Sequence, residues 1–206
     1  MYSRFENLKP EKQRQIIDVA LREFAENGFE KASTNEIVKK ANISKGSLFN
    51  YFNSKKELYL YLFNYSIEII EEFINQINLD ERDIFKRITN IGLKKLYVQK
   101  KYSYIFDFLI SVIKEESTEL KEDIREKIDT IYGEGFKRIY ENIDYSLFKE
   151  DIDIEKAIEI LNWSMLGFSN KFTSQIKSFA YGDEFGEHIL GEWKVYSRML
   201  RDSFYK

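Results

Sequence analysis

The sequence predicts an all-α protein, with an N-terminal three-helix helix-turn-helix unit and a larger helical remainder. Three observations predict it. Pro10 is the only proline, so no residue of that kind interrupts a helix in the rest of the 206 residues. The 9 glycines are scattered and no sustained period-two alternation occurs, which argues against strands. Apolar residues instead recur at three- and four-residue spacing almost throughout, the period of a helix with one buried face.

The first helix should open near Pro10, whose missing N–H would be unpaired at an early helical position anyway. Ile16, Ile17, Ala20, Leu21 and Phe24 give it one apolar face, and Gly28 in "ENGF" is its expected stop. Ser33-Thr34-Asn35-Glu36 reads as a capping box in which Ser33 and Glu36 satisfy each other's amides. It opens a short helix to about Ala41. After a turn at Asn42-Ile43, Ser44 caps a second short helix ending near Phe52. Ser54-Lys55-Lys56-Glu57 is a second capping box, opening a long helix into the seventies. Further helices are expected near 81–98, 102–115, 118–142, 153–178 and 184–204, with a turn at Tyr181-Gly182-Asp183.

Composition excludes several classes of function. The chain has no cysteine, so disulfides and thiolate metal sites are out. The start, "MYSRFENLKPEKQRQ", is too polar for a secretory signal, and no apolar run approaches the ~20 residues that span a bilayer. A cytoplasmic setting is the expectation. His188 is the only histidine, and no glycine-rich phosphate loop or metal-binding histidine pair occurs. Glu71-Glu72 and Glu115-Glu116 are adjacent pairs that do not converge on one helix face. Nothing here asks for catalysis, a metal or a cofactor, and the expectation is that the chain is not an enzyme.

Charge is unevenly spread. Residues 1–65 carry 11 Lys and Arg against 8 Asp and Glu, while the remainder carries 21 against 27. The window from Ile37 to Lys56 holds Lys39, Lys40, Lys45, Lys55 and Lys56 and no acid at all. A basic segment on an acidic chain suggests an anionic partner.

Two short helices joined by a turn of about three residues make a helix-turn-helix. At 100° per residue, Leu48 and Phe52 share the inward face of the second helix, with Asn50 opposite them. Gly46 and Ser47 lie beside Asn50, Phe49 and Tyr51 on the flanks, and Lys45 at the N-terminal end. That face suits duplex DNA. Asn50 can donate to and accept from the N6/N7 edge of adenine, Ser47 can bond several bases, and Phe49 can touch a thymine methyl. Gly46 removes a side chain at closest approach, the lysines and the two helix N-termini supply phosphate contacts, and Ser44 is a further DNA-binding candidate. Taken singly, Lys39 and Lys40 read equally well as a solvated face. The combination is what points to DNA.

Residues from about Lys12 to Asn64 resemble the DNA-binding domain of the tetracycline-repressor (TetR) family of bacterial regulators. The matching pieces are "IIDVALREFAENGFEKAST" and "EIVKKANISKGSLFNYFNSKKEL". Ala20 and Phe24, the pair Gly28-Phe29, Thr34, the run Ser44-Lys45-Gly46, and Phe52 with Lys55 stand where that family's pattern has them. The resemblance implies that Thr34, Lys45, Gly46, Asn50, Tyr51 and Lys55 face DNA. Phe49 departs from the family's usual tyrosine, Tyr51 from a frequent histidine, and Asn42 from the usual turn glycine. Asn accepts the left-handed backbone such a turn needs.

The resemblance also implies a division into residues 1–54, which bind DNA, and 55–206, which bind an effector and dimerise. It implies a homodimer, a palindromic operator and a small-molecule effector, with release of DNA when the effector binds and no part for a membrane. Phe63, Ile67, Phe106, Phe136 and Trp163 are the candidate pocket residues, which would suit a lipophilic or aromatic ligand. Phe168, Phe172, Ile189, Trp193, Tyr196 and Leu200 are the candidates for the interface between protomers.

Overall fold

The computed structural model describes residues 2–115, 118–173 and 183–206. Ten α-helices lie among them: α1 Ser3–Glu6, α2 Pro10–Lys31, α3 Thr34–Lys40, α4 Lys45–Phe52, α5 Lys55–Asn75, α6 Ile84–Lys101, α7 Ser103–Ile113, α8 Thr118–Tyr140, α9 Ile154–Thr173 and α10 Asp183–Phe204. A 3-10 turn spans Tyr145–Leu147, and the one β-bridge among these residues joins Phe148 to Tyr205. The all-α expectation holds. The expected helical stretch 174–178 and the turn residues Tyr181 and Gly182 lie outside the described residues.

Two local expectations change. Gly28 is a kink, not a stop. At φ +66° and ψ 176° it breaks the helical path in a conformation that suits glycine, and α2 resumes to Lys31. The second change is the extra helix α1, whose four residues carry too short a pattern to be read as periodic.

The chain forms two compact units, Met1–Glu72 with Tyr102–Tyr132, and Phe73–Lys101 with Gly133–Lys206. These units are drawn by contact, whereas the expected boundary at residue 54 divides function. In the first unit, α2 packs along α7 and α5. Phe24, Phe29, Tyr59 and Phe108 form an aromatic centre, with Tyr59 5.0 Å from Phe24 and 5.1 Å from Phe108, both edge-on. Ile16, Ala20, Leu21, Ile37, Leu48 and Phe52 extend that core beneath α3 and α4.

In the second unit, Ile84, Phe85, Ile88, Ile143, Leu161, Trp193 and Phe204 form the core. Arg87 is fully buried there, and its guanidinium is satisfied by backbone. It donates to the carbonyls of Leu79 and Glu81 at 3.0 and 2.7 Å, to that of Ile139 at 3.0 Å, and also to that of Glu141. The last two carbonyls belong to the C-terminal end of α8, where a cation is favoured. Asp83 caps α6, accepting from Phe85 N at 3.0 Å, and meets Arg201 at 3.4 Å.

Candidate nucleic-acid interface

The spacing of serines sets the ends of the reading helices. Ser33 accepts from Glu36 N at 3.4 Å, Ser44 from Ser47 N at 3.0 Å and Ser54 from Glu57 N at 3.0 Å. The reciprocal half of the first box is not made by Glu36. Buried Glu23 on α2 takes the Ser33 N–H at 3.0 Å instead, and its other oxygen meets Lys40 at 3.3 Å. A carboxylate 4% exposed out-competes one at the surface, because leaving it unpaired inside would cost far more.

The turn between α3 and α4 is held from the same side. Asn42 adopts φ +49°, as the missing glycine requires. Lys12 on α2 donates to the carbonyls of Ala41 at 2.8 Å and Asn42 at 3.2 Å, which close the end of α3. Glu23 and Lys12 therefore fix both ends of α3, though neither was a candidate. Their polarity on the inner side of α2 was the only available signal.

The face of α4 is as its angular positions require. Leu48 and Phe52 are 1% exposed, while Lys45, Gly46 and Asn50 are exposed. Ser47, Phe49 and Tyr51 are half-buried. Thr34, half-buried, begins α3, and Ser44 shares its hydroxyl with that of Ser47 at 2.8 Å. Lys55, the remaining DNA-contact candidate, is engaged within the protein. Its ammonium is turned to the end of α2, donating to the carbonyls of Glu30 and Ala32 at 3.1 and 3.3 Å above the Phe29 ring. Those carbonyls lack helical partners, so Lys55 acts here as a C-terminal cap before it can meet a phosphate.

Helix α1 lies against the reading helix. Phe5 is fully buried, 4.8 Å from Phe52 and 6.0 Å from Tyr51, and Tyr2 packs on Phe52 and Tyr61. Gln13 ties the segment down by donating to the carbonyls of Glu6 and Leu8. Between the two aromatics, exposed Arg4 donates from its guanidinium to the side-chain oxygen of Asn50.

The five pocket candidates fall in both units, three in the first and two in the second. Phe63 and Ile67 are buried in the core of the first unit, and Phe106 is half-buried there. Phe136 and Trp163 belong to the second unit, 45% and 66% exposed. Their aromatic character fits core and surface positions equally. A cavity of about 320 Å³ does lie between α7 and α8 in the first unit, and none of the five lines it. Its walls are Val112, Leu120, Ile124 and Ile128, with Arg125 and Asp129 at the polar edge. Glu115, on the same wall, accepts from Phe29 N at 2.8 Å, right at the Gly28 kink of α2. Burial, with Glu115 nearby, pushes the Tyr59 phenol above its ordinary range.

The interface candidates divide in the second unit. Trp193 is a core residue, and Phe172 is buried beside Phe168 with rings 4.6 Å apart. Trp193, Ser197, Leu200 and Phe204 recur at four, three and four residues, so they turn inward together. Tyr196 is 41% exposed, and Ile189 and Leu200 are half-buried. The outward apolar face is built instead from Ile160, Trp163 and Leu166 on α9 with Val195 and Met199 on α10, each between 41% and 66% exposed. Phe168 joins the two helices from within, 5.2 Å from Trp193 and 5.6 Å from Tyr196.

Among the described residues no group of His, Cys, Asp and Glu could hold a metal ion, and no helix is long and apolar enough to cross a membrane.

Residues 16–62 match the sequence model of the bacterial regulatory proteins of the tetR family. Three curated regulators share this region. An uncharacterized HTH-type transcriptional regulator of Bacillus subtilis is 46% identical over 55 residues, 27% of this chain and 19% of its own length. The fatty acid metabolism regulator protein of the same organism is 33% identical over 81 residues, 39% of each chain. An HTH-type negative regulator of the icaADBC biofilm operon in Staphylococcus aureus is 36% identical over 62 residues, 30% of this chain and 31% of its own. The matches thus span well under half of those relatives. The fold extends further. A TetR family transcriptional regulator from Chloroflexus aurantiacus superposes over 99% of this chain and 98% of its own, with TM-score 0.60 at 22% identity. The N-terminal region thus resembles that of tetR-family regulators, and the whole chain shares the fold of one such regulator.

Proposed function

We propose that the protein is a homodimeric repressor of the tetR family, acting in the cytoplasm on double-stranded DNA. Its two α4 helices read a palindromic operator, and a small lipophilic or aromatic molecule bound within residues 55–206 releases it. It carries out no catalytic step. The observation that carries this reading is the face of α4. Lys45, Gly46 and Asn50 stand exposed on a helix whose start is capped by Ser44 and whose preceding turn is held by Asn42 and Lys12. A helix that buries one side and holds Gly, Ser and Asn toward solvent in an acid-free window suits the major groove.

Dimerisation rests on the apolar face of α9 and α10, which leaves Trp163 and Met199 in water unless a second copy covers them. Repression and a lipophilic effector draw on the relatives: one is a negative regulator and another governs fatty acid metabolism. The apolar walls of the cavity between α7 and α8 suit such a molecule, and Glu115 ties that wall to the kink of α2.

The test is selection of bound fragments from the organism's own DNA, followed by footprinting. A protected palindrome with half-sites about one helical turn apart supports the reading. The Lys45→Ala variant should lower the slope of log affinity against log salt by about 1, the value of one phosphate contact. Met199→Lys should yield monomers by sedimentation. An intact wild-type dimer with no salt-dependent DNA binding would sink the proposal.

A further inference from the structure

Helix α1 is too short to be stable alone, and everything that holds it comes from its neighbours. Tyr2 and Phe5, three residues apart, share one side of the turn and sink into the cluster of Tyr51, Phe52 and Tyr61. The Tyr2 hydroxyl donates to Glu57 at 3.4 Å, and Gln13 grips the carbonyls of Glu6 and Leu8. With both aromatics inward, Arg4 lies on the other side, exposed, at the reading face of α4.

Its hydrogen bond to Asn50 changes what that face presents. A free asparagine amide offers one acceptor and two donors, which suits the N6/N7 edge of adenine. Here the Asn50 oxygen already accepts from Arg4. The Asn50 NH2 group keeps both its donors, and the guanidinium beside it has further N–H groups. With one lone pair of the Asn50 oxygen taken by Arg4, the pair offers more donors than acceptors to a base edge. Guanine presents two adjacent acceptors, N7 and O6, in the major groove, whereas adenine presents a donor beside its acceptor.

From this juxtaposition we propose that Arg4 is a specificity-determining DNA contact, acting with Asn50 as a donor pair that selects guanine in each half-site. The inference rests on the DNA-binding reading above. It changes the base expected opposite Asn50 from adenine to guanine.

The experiment compares wild type, Arg4→Ala and Arg4→Lys by selection from a library with randomised half-sites. Dimethyl sulfate interference at guanine N7 locates the contacted base. Wild type should select guanine at the position facing Asn50, and methylation there should block binding. Arg4→Ala should lose roughly tenfold in affinity for that site, within the range of a bidentate base contact, and should shift preference toward adenine as the Asn50 oxygen is released from Arg4. Arg4→Lys keeps the charge without the planar fork and should fall between them. Thermal midpoints should stay unchanged, since the aromatics carry the docking of α1.

Unchanged base preference and affinity in Arg4→Ala would overturn the inference while leaving the repressor reading intact. Tighter binding by Arg4→Ala would overturn it too, by showing that Arg4 masks Asn50. If wild type bound no DNA, the repressor reading and this inference would fall together.

Discussion

The two compact units finish their helices in different ways. In the first, caps are mainly local: Ser33, Ser44 and Ser54 each bond an amide three residues on. In the second, local caps such as Asp83 and Asp153 are joined by partners far apart in sequence. Arg87 gathers carbonyls from Leu79, Glu81, Ile139 and Glu141, Lys149 takes those of Asp202 and Ser203, and the Tyr205 hydroxyl accepts from Ile84 N at 3.3 Å. A local cap works as soon as its helix forms, and costs little chain entropy. A distant one works only after the core has closed, so it reports on tertiary structure and depends upon it.

The sharpest way to break the contrast is Arg87→Met. It keeps the length and apolar stem but leaves several buried carbonyls without a donor, and should cost about 3–5 kcal/mol. The urea midpoint of the second unit should fall with little change in slope. A loss below about 1 kcal/mol would show that water replaces the guanidinium, and that the distant caps matter no more than the local ones.

Glu23→Ala attacks a non-local cap in the reading region. Exposing the Ser33 amide and Lys40 should cost about 2 kcal/mol. Glu23→Gln keeps an acceptor for Ser33 N and should cost less than half of that. Equal losses in the two variants would mean that the charge at Lys40, not the cap, is what counts.

Ser44→Ala tests a purely local cap and should cost about 1 kcal/mol, read as a shift in the thermal midpoint. A cost equal to that of Glu23→Ala would erase the distinction.

The smallest effect concerns pH. Burial, reinforced by the negative charge of Glu6 and by neighbouring tyrosines and Glu68, pushes Tyr61 up to about 12 from an ordinary 10.0. The folded state therefore holds this proton more tightly than the unfolded chain. The stability it contributes is complete below pH 10 and fades as pH rises toward 12. Tyr61→Phe should make the alkaline decline between those values shallower. An unchanged decline would assign it to other tyrosines.

These contrasts explain which parts of the molecule could be read early. The α3–α4 region was legible because its signals are local. Capping serines, a left-handed Asn42 and the alternation of Leu48 and Phe52 with Asn50 all act within a few residues. Helix α1 was missed because four residues show no period. Lys55 was read toward DNA because sequence alone could not place it over the end of α2. Trp163 was assigned to a pocket and Trp193 to an interface because an aromatic on a helix carries no label for which side will be covered. The structure exposes the first and buries the second.

The sequence by itself determined the all-helical class, where α2, α3, α4 and α5 begin, and which side of α4 faces outward. Those follow from hydrogen bonds and periodicities spanning one or two turns. Only the tertiary structure decided that Glu23 and Lys12 hold the turn, that Arg87 closes the second unit, and that Arg4 reaches Asn50. Each of these pairs a charged or polar group with a partner distant in the chain. Its energy depends on burial and geometry that exist only once the chain has closed on itself.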